Sequence, residues 1–364
     1  MNSLDAALRR PYPKTVVAVP AKNEADRIGP CLTALNHQIY PPDAVVLLLN
    51  NCTDETDFVA RALSPELRYT LHIIPITLPP DRANAGQARR MAMALAAREA
   101  GRDGILLTTD ADTVVPSDWI GRNLNWLLRG ADLVCGKAAV DPVEAALIPA
   151  RLNADHDRER HLIQVLDDLA CQIDPDPYDP PRRHAEASGA SLAVWVAVFD
   201  KVGGIPPTSC GEDRAFVDAL RRIDARIRHD PAIEVVVSGR VLGRAEGGMA
   251  ATLQRRLVRQ DELADDQIEP AESVIRRVAL RGRTRSAWAS RRPDRFLAED
   301  LAIEPALLGK LLSRPFFGAA WAEIESRSPR LARTRVRFTD LPAEIEAANS
   351  LLSRLQAPET MAAE

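Results

Sequence analysis

The first 140 residues or so are built from short apolar runs that alternate with amphipathic segments. The runs are five or six residues long and lie at 15–20, 44–49, 71–76 and 105–109. Between them are stretches with helical spacing, of which 84–98 is rich in Ala, Met and Arg, all strong helix formers. Strands that alternate with helices are typical of βαβ units. This part of the chain therefore predicts an α/β fold with a mostly parallel sheet flanked by helices.

Asn23 and Ser117 are candidate N-caps of two helices in this first part of the chain, because their side chains can accept hydrogen bonds from the N–H groups of a first helical turn.

The alternation of strand and helix patterns ends after residues 131–136. The Pro/Asp run at 174–181 predicts a loop, since it suits neither helix nor central strand. From Gly247 onward the pattern is helical. The other predicted elements are a charged helix at 155–169, helices at 191–200 and 212–223, and a strand at 233–237.

Composition narrows the class of protein. A net charge of −4 over 364 residues gives no bias toward nucleic acid, and an aromatic content of 4% argues against stacking platforms for single strands. The five cysteines are scattered and form no CxxC pair, which indicates reduced thiols. The N-terminus has no apolar signal region, and no stretch approaches the ~18 apolar residues of a membrane span. We therefore expect a cytoplasmic protein, at most peripheral to a membrane.

Two carboxylates follow the fourth apolar run. Asp110 and Asp112 are predicted at the carboxyl end of a buried parallel strand, where open α/β sheets bind ligands. Carboxylate, water and phosphate oxygens are the ligands that Mg²⁺ and Mn²⁺ prefer. The pair therefore points to a divalent cation that bridges phosphate oxygens. The alternative is a solvated turn, which is the commoner case when the motif stands alone.

Five motifs occur in a fixed order, four at predicted strand ends and one at a helix start. They are Pro20-Ala-Lys-Asn-Glu24, Asn50-Asn-Cys-Thr-Asp54-Glu-Thr56, Asn84-Ala-Gly86-Gln-Ala-Arg89, Asp110-Ala-Asp112 and Gly211-Glu-Asp213. Together they resemble the GT-A glycosyltransferases of family 2, over about residues 14–240. The resemblance implies a GT-A domain at 1–246, with a nucleotide-sugar half at about 14–140 and an acceptor half at about 141–246. A helical C-terminal extension would follow at 247–364.

The resemblance also implies an activity. The enzyme would move a sugar from a nucleotide-diphosphate-sugar, with a UDP-sugar as the first expectation, to a hydroxyl of a small or lipid-linked acceptor. Mn²⁺ or Mg²⁺ would neutralise the diphosphate leaving group as a Lewis acid. Asp112 would coordinate the metal directly, and Asp110 would contact the ribose or the metal through water. Pro20 would lie in the loop that receives the nucleotide.

Further nucleotide contacts follow from the same resemblance. Glu24 and the loop with Asn51 and Asp54 would bind base and ribose, although the family usually has acidic residues where this chain has Asn50 and Asn51. Asn donates hydrogen bonds as well as accepting them, so these two residues do not identify the nucleotide base. An Asx-turn that caps a helix is the alternative for Asn51 and Asp54. Arg89 matches an arginine placed near the base or diphosphate, and its alternative is a surface arginine.

The acidic pair Glu212 and Asp213 resembles the catalytic pair of the family. Its aspartate acts as general base on the acceptor hydroxyl, because a hydroxyl is a poor nucleophile until a carboxylate takes its proton. Attack from the face opposite the leaving group would invert the anomeric centre. The alternative is that both acids only complement the positive end of the helix that they open.

Later cationic residues have less specific signals. Arg240 and Arg244 would close a cationic lid on the diphosphate or form a basic surface turn. His184 is a candidate third metal ligand if its loop folds back, and a structural histidine otherwise. A basic C-terminal region would contact anionic lipid or a partner protein, or be a solvated helix face. Its arginines are Arg276, Arg277, Arg281, Arg283, Arg285, Arg291 and Arg292.

Two other functions occur on the same architecture and make different demands on the sequence. A sugar-phosphate nucleotidyltransferase needs a Gly-rich basic loop after strand one, which this chain lacks. A non-catalytic nucleotide-sugar-binding protein has no need of intact acids at both Asp112 and Asp213. A Rossmann dehydrogenase and a P-loop NTPase are excluded, because neither GxGxxG nor GxxxxGK[ST] follows a predicted strand.

Overall fold

The computed structural model describes residues 12–240, 249–258, 262–292 and 295–356. The chain divides into two compact units. The first contains the described residues of Met1–Asp141, Glu186–Val217 and Ala232–Ala251. The second contains those of Pro142–Ala185, Asp218–Pro231 and Thr252–Glu364.

A seven-stranded sheet organises the first unit. Its strands are β1 (Thr15–Ala21), β2 (Ala44–Asn50), β3 (Thr70–Ile76), β4 (Ile105–Thr108), β5 (Leu133–Val140), β6 (Leu192–Trp195) and β7 (Ile227–Val237). The strand order is β3-β2-β1-β4-β6-β5-β7. β1 pairs in parallel with β2 and β4, and β2 with β3, whereas β6 runs antiparallel to β4 and β5. The predicted mostly parallel sheet is therefore confirmed.

Helices follow most of the strands and make up the region after β7. In chain order they are α1 (Ile28–Asn36), α2 (Thr56–Leu63), α3 (Ala85–Ala100), α4 (Trp119–Leu128), α5 (Pro142–Ala145), α6 (Ala150–Ile173), α7 (Val196–Lys201), α8 (Glu212–Arg221), α9 (Met249–Val258), α10 (Ala271–Ser290), α11 (Leu297–Asp300), α12 (Pro305–Leu312), α13 (Phe317–Arg327) and α14 (Leu341–Gln356). The expected helical C-terminal region and the loop at 174–181 are both present. The chain thus has the α/β sheet with flanking helices, and the helical region after it, that its sequence predicts.

The central strands are apolar on both faces because helices cover both. Val17 and Val19 point into a cluster with Leu32 of α1 and Leu124 of α4. The other face of β1, β2 and β4 packs against α3, whose Ala and Gly residues allow a close approach. Burial on both faces removes the polar alternation of a half-exposed strand and leaves a continuous apolar run.

Pro20 lies within a central strand without breaking it. The pairing of β1 with β4 ends at Ala18, and Thr109 N–H donates to the Ala18 carbonyl. Along a strand, the backbone N–H and C=O groups of successive residues point alternately to the two neighbouring strands. An N–H at position 20 would therefore point toward β4, as the backbone groups of Ala18 do, but at a position beyond the last residue that pairs with β4. The missing donor of proline therefore costs no ladder hydrogen bond there.

Three local predictions were wrong. The predicted helix at 191–200 is strand β6 followed by the short helix α7, because a short buried apolar run does not distinguish strand from helix. Asn23 is not an N-cap: it has a left-handed backbone (φ 57°), and its side-chain oxygen accepts from Thr53 N–H at 2.7 Å. Helix α4 begins at Trp119 after Asp118, so Ser117 does not cap it either.

The second unit is mainly helical, and its described residues include two apolar clusters. One joins α6, α10 and α14, and the other joins α10 to α12 and α13. The basic residues of α10 are largely engaged within this unit: Arg281 and Arg285 both reach Asp174, at 2.7 and 2.9 Å, and Arg277 pairs with Glu269. Of the helices in the described ranges, none combines the length and apolar character needed to cross a bilayer.

Gly318 supplies a stability test in the second unit. A Cβ at this position in α13 would meet the Arg221 carbonyl oxygen at van der Waals overlap, whereas a Cβ at Gly309 in α12 would touch nothing within 4 Å. We expect Gly318→Ala to lower the free energy of unfolding by about 1–3 kcal/mol, as overpacking does. Gly309→Ala should leave it unchanged or raise it by up to ~1 kcal/mol. Urea unfolding measures both, and equal effects would contradict the packing.

Candidate functional site

The paired carboxylates lie at the carboxyl end of β4. Because β1, β2 and β4 run in the same direction, their ends meet at one edge of the sheet. Asp110 and Asp112 follow β4 at this edge, with Ala111 buried between them. The Asp110 side chain is 36% exposed and that of Asp112 is 16% exposed. Both carboxylates therefore stand at the surface of the sheet edge and not in its core.

A short antiparallel bridge places Arg240 beside Asp112. Val114 and Val236 exchange two backbone hydrogen bonds, at 2.8 and 3.0 Å. In antiparallel register the residues that follow Val236 run back along those that precede Val114. Arg240 consequently reaches Asp112, with Nη2 3.0 Å from Oδ2.

Glu24 completes this ionic group. Its carboxylate binds Arg240 through both oxygens, at 2.6 and 2.7 Å, in the fork geometry that arginine favours. Glu24 is buried, and its carbonyl accepts from the N–H groups of Arg27 and Ile28, which fixes the turn into α1. Burial, followed by the negative charge of Asp110, raises the pKa of Asp112 to about 6, and the positive charge of Arg240 opposes the shift.

The loop after β2 is held by its own side chains. Asn51 has a left-handed backbone (φ 53°), and its amide both accepts from Leu78 N–H at 3.0 Å and donates to the Leu78 carbonyl at 2.9 Å. Asp54 accepts from the N–H groups of Thr56 and Ala25, both at 3.1 Å. The contact from Thr56 N–H to Asp54 is an Asx-turn, but Asn51 forms none, and Glu55 precedes α2 without a capping hydrogen bond from its side chain. The proposed nucleotide contacts of Asn51 and Asp54 stay predictions.

Arg89 is buried at the centre of the site. Its guanidinium donates to Glu212 Oε1 at 2.9 Å, to Thr108 Oγ1 and the Gly189 carbonyl at 2.8 Å each, and to Asp110 Oδ1. Burial alone would lower the pKa of Arg89, but the charges of Asp110 and Glu212 outweigh it and raise the pKa. The surface alternative is therefore wrong.

Sequence reasoning missed this burial, although a signal was present. Arg89 belongs to the inward face of α3 together with Gly86, Ala92, Met93 and Ala96, at helical spacing. An arginine on such an apolar stripe must find partners within the fold, because an unpaired buried charge is costly.

The two acids that open α8 have different surroundings. Glu212 is buried against Arg89. Asp213 is half-buried, and its carboxylate accepts from Gly189 N–H at 2.9 Å and from Arg214 N–H at 2.7 Å. Two backbone hydrogen bonds thus hold the carboxylate of Asp213 in place while it stays partly accessible.

The remaining predicted residues are less centrally placed. Pro20 is part of β1, as described. His184 belongs to the second unit, where its ring meets His229 edge-on with centroids 5.5 Å apart. Arg244 lies outside the described residues. Among the described residues, no three or more His, Cys, Asp or Glu side chains are grouped so as to hold a metal ion on their own.

Comparisons with known proteins were made for sequence and for fold. A family model described as glycosyl transferase family 2 matches residues 16–175. No curated protein matches the chain.

Several solved structures are similar in fold. Mannosyltransferase PcManGT from Pyrobaculum calidifontis, in complex with GDP-Man and Mn²⁺, is 17% identical, with 95% of this chain and 85% of that chain covered and a TM-score of 0.44. S. aureus TarS in complex with UDP is 13% identical, with 93% and 90% covered and a TM-score of 0.46. Glucosyl-3-phosphoglycerate synthase from Mycobacterium tuberculosis, in complex with Mn²⁺, UDP and phosphoglyceric acid, is 16% identical, with 69% and 82% covered and a TM-score of 0.42.

The family match begins in β1, passes through the carboxylates after β4 and ends after α6. It therefore contains Glu24, Arg89, Asp110 and Asp112, whereas Glu212, Asp213 and Arg240 lie beyond it. Residues 16–175 are therefore similar to glycosyl transferase family 2, and this match indicates a glycosyltransferase.

Proposed function

We propose that the protein transfers a sugar from a nucleotide-diphosphate-sugar to an acceptor hydroxyl, in a reaction that depends on a divalent metal and inverts the anomeric centre. The observation that carries the proposal is the group formed by Asp110, Asp112, Glu24 and Arg240 at the ends of parallel strands. Such an edge is where open α/β sheets bind ligands. A UDP-sugar is the first donor to test.

The carboxylates after β4 suit a hard divalent cation. Oδ1 of Asp110 accepts a hydrogen bond from Arg89, and Oδ2 of Asp112 lies beside the guanidinium of Arg240. Oδ2 of Asp110 and Oδ1 of Asp112 accept no hydrogen bond from the described residues. Burial first, and the negative charge of Asp110 second, raise the pKa of Asp112, and a cation beside it would favour its ionised form. Mn²⁺ or Mg²⁺ held by Asp112 and Asp110 would neutralise charge on the diphosphate leaving group. His184 as a further ligand remains a prediction.

Asp213 is the proposed general base. Its carboxylate is oriented by Gly189 N–H and Arg214 N–H, and it retains lone pairs for an acceptor hydroxyl. As the acceptor oxygen attacks the anomeric carbon, its proton passes to Asp213, and the bond from that carbon to the diphosphate oxygen breaks. Glu212 is occupied by Arg89, so we assign it a supporting role.

The nucleotide is proposed to lie over the first two loops. Glu24 and Arg240 flank the carboxylates, and Asn51 and Asp54 shape the loop after β2. The buried amide oxygen of Asn50 accepts no hydrogen bond from the described residues, which supports a role as acceptor for a donor group of the base. Arg240, with Arg244, would contact the diphosphate once a metal takes its place beside Asp112.

The remaining parts of the proposal rest on sequence reasoning. The acceptor is a small or lipid-linked molecule, and the protein is placed in the cytoplasm without a nucleic-acid partner. The GT-A domain is proposed to end near residue 246, before a helical extension. Peripheral membrane contact through that extension would draw on its exposed basic residues, since Arg277, Arg281 and Arg285 are paired with carboxylates.

Metal dependence is tested with Asp112→Asn. We expect the variant to lose turnover of a sugar nucleotide in Mn²⁺ by about 100-fold or more, since a metal contributes several kcal/mol and about 3 kcal/mol corresponds to 100-fold. Release of nucleoside diphosphate from a panel of UDP- and GDP-sugars gives the rate. Asp118→Asn is the control, because Asp118 pairs with Arg122 on the surface of α4. Wild-type binding without turnover would favour the non-catalytic alternative, and an unaffected Asp112→Asn would overturn metal dependence.

The general base is tested with Asp213→Asn. We expect a loss in kcat of about 100-fold or more with unchanged binding of the nucleoside diphosphate, because the amide cannot take the acceptor proton. Asp218→Asn, on the same helix and paired with Arg221, should keep full activity. Transfer by Asp213→Asn at the wild-type rate would assign the base elsewhere.

A further inference from the structure

The structure points to Arg89 as a positioning residue and not as a ligand of the donor. We propose that it holds the metal-side carboxylate Asp110 and the acceptor-side elements of Glu212 and Gly189 in one fixed arrangement. This inference rests on the proposed function and deepens it, because it connects the two halves of the same site.

The N–H groups of Arg89 form their hydrogen bonds within the protein. A guanidinium has five N–H groups, and four hydrogen bonds join Arg89 to Glu212, Thr108, Gly189 and Asp110. Its side chain is 7% exposed. A phosphate would have to break these contacts and enter the interior in order to reach the fork, whereas Arg240 offers a more exposed guanidinium at the sheet edge.

Gly189 links Arg89 to the proposed base. Its carbonyl accepts from Arg89, and its N–H donates to Asp213 Oδ2. The backbone lies so close to the guanidinium that a Cβ on Gly189 would be 2.4 Å from Arg89 Cζ. A shift of Arg89 would therefore move this peptide and, through it, the carboxylate of Asp213.

Charge explains why arginine is needed at this position. Glu212 is buried, and a buried carboxylate requires a counter-charge and satisfied hydrogen bonds. The planar guanidinium of Arg89 forms ion pairs with both carboxylates, through Nε with Glu212 and through Nη2 with Asp110. Lysine would keep the charge, but a single ammonium does not reproduce a planar fork that reaches four acceptors.

Arg89→Lys separates the two roles. Because a lysine still binds phosphate as a point charge, a donor-binding role would survive the change largely intact. A positioning role would not, and we expect kcat to fall by about 10- to 100-fold, as for other groups that orient metal ligands. The Kd for UDP or GDP measured without metal should stay within about 3-fold, because Arg89 would not contact the nucleotide. Binding stoichiometry counts the folded sites, so a loss of folded protein is not mistaken for a lower kcat.

The neighbouring Arg90 gives a matched control. It lies one residue along α3 but is exposed, and no hydrogen bond or ion pair joins it to the described residues. Arg90→Lys should therefore leave kcat, KM and Kd unchanged. An equal fall in kcat in both variants would show that the helix, and not the Arg89 contacts, is responsible.

Two further variants keep the test decisive if Arg89→Lys folds poorly. Gly189→Ala forces a Cβ against the guanidinium and should reproduce the fall in kcat with nucleotide binding retained. Arg89→Gln combined with Glu212→Gln removes both buried charges, and its loss of kcat should be smaller than the product of the two single losses, because both act through one contact.

Several results would overturn the inference. One is a Kd for nucleoside diphosphate that weakens by about 10-fold or more in Arg89→Lys or Gly189→Ala while kcat is kept. Another is a double variant whose loss equals the product of the single losses. Failure of the proposed function itself is distinct, because the wild-type protein would then neither bind nor turn over any sugar nucleotide in Mn²⁺.

Discussion

Parallel pairing of β1 with β2 and with β4 is the constraint on which the rest of the site depends. Parallel strands share a direction, so the loops that follow them meet at one edge although they are far apart in sequence. Glu24, Asn51 and Asp110 come together for this reason. The same pairing requires helical crossovers, which cover both faces of the sheet and leave its ligand-binding groups at the strand ends.

The charges at this edge are balanced incompletely. In the ion pairs of the described residues, Arg89 and Arg240 face four carboxylates, those of Glu24, Asp110, Asp112 and Glu212. The pKa of Asp112 is raised because burial and neighbouring negative charge disfavour its ionised form. The two arginines differ in environment: Arg240 is partly exposed, at 21%, and binds Glu24 and Asp112, whereas Arg89 is enclosed. An exposed arginine can exchange partners when a cation arrives, while an enclosed one cannot do so without disturbing the backbone around it.

Much of the fold was predictable from the sequence, and part of the site was not. The apolar runs at 15–20 and 44–49 became buried parallel strands, because a strand covered on both faces must be apolar throughout. The same rule misled at Leu192–Trp195, where a short apolar run of three buried residues and one partly buried residue fits a strand and a helix equally well.

The site shows where sequence reasoning stops. Asp110 and Asp112 were visible because a strand precedes them directly. The pairing of Glu24 with Arg240 had no local signal, since it depends on a bridge between distant segments. The motif marked Arg89 as a site residue. Its burial against Gly189 and Glu212 could not be predicted, because these partners are 100 and 123 residues away in the sequence.

The bridge between Val114 and Val236 has a consequence for the order of assembly. These residues are separated by about 120 positions, so the segment after Asp112 reaches its final form only when the distant strand has docked. The pairing of β1, β2, β3 and β4 with one another needs no residue beyond Thr109. A nascent chain released before β7 would therefore hold its carboxylates without Arg240 opposite them, and the binding edge would be the last part of the sheet to mature.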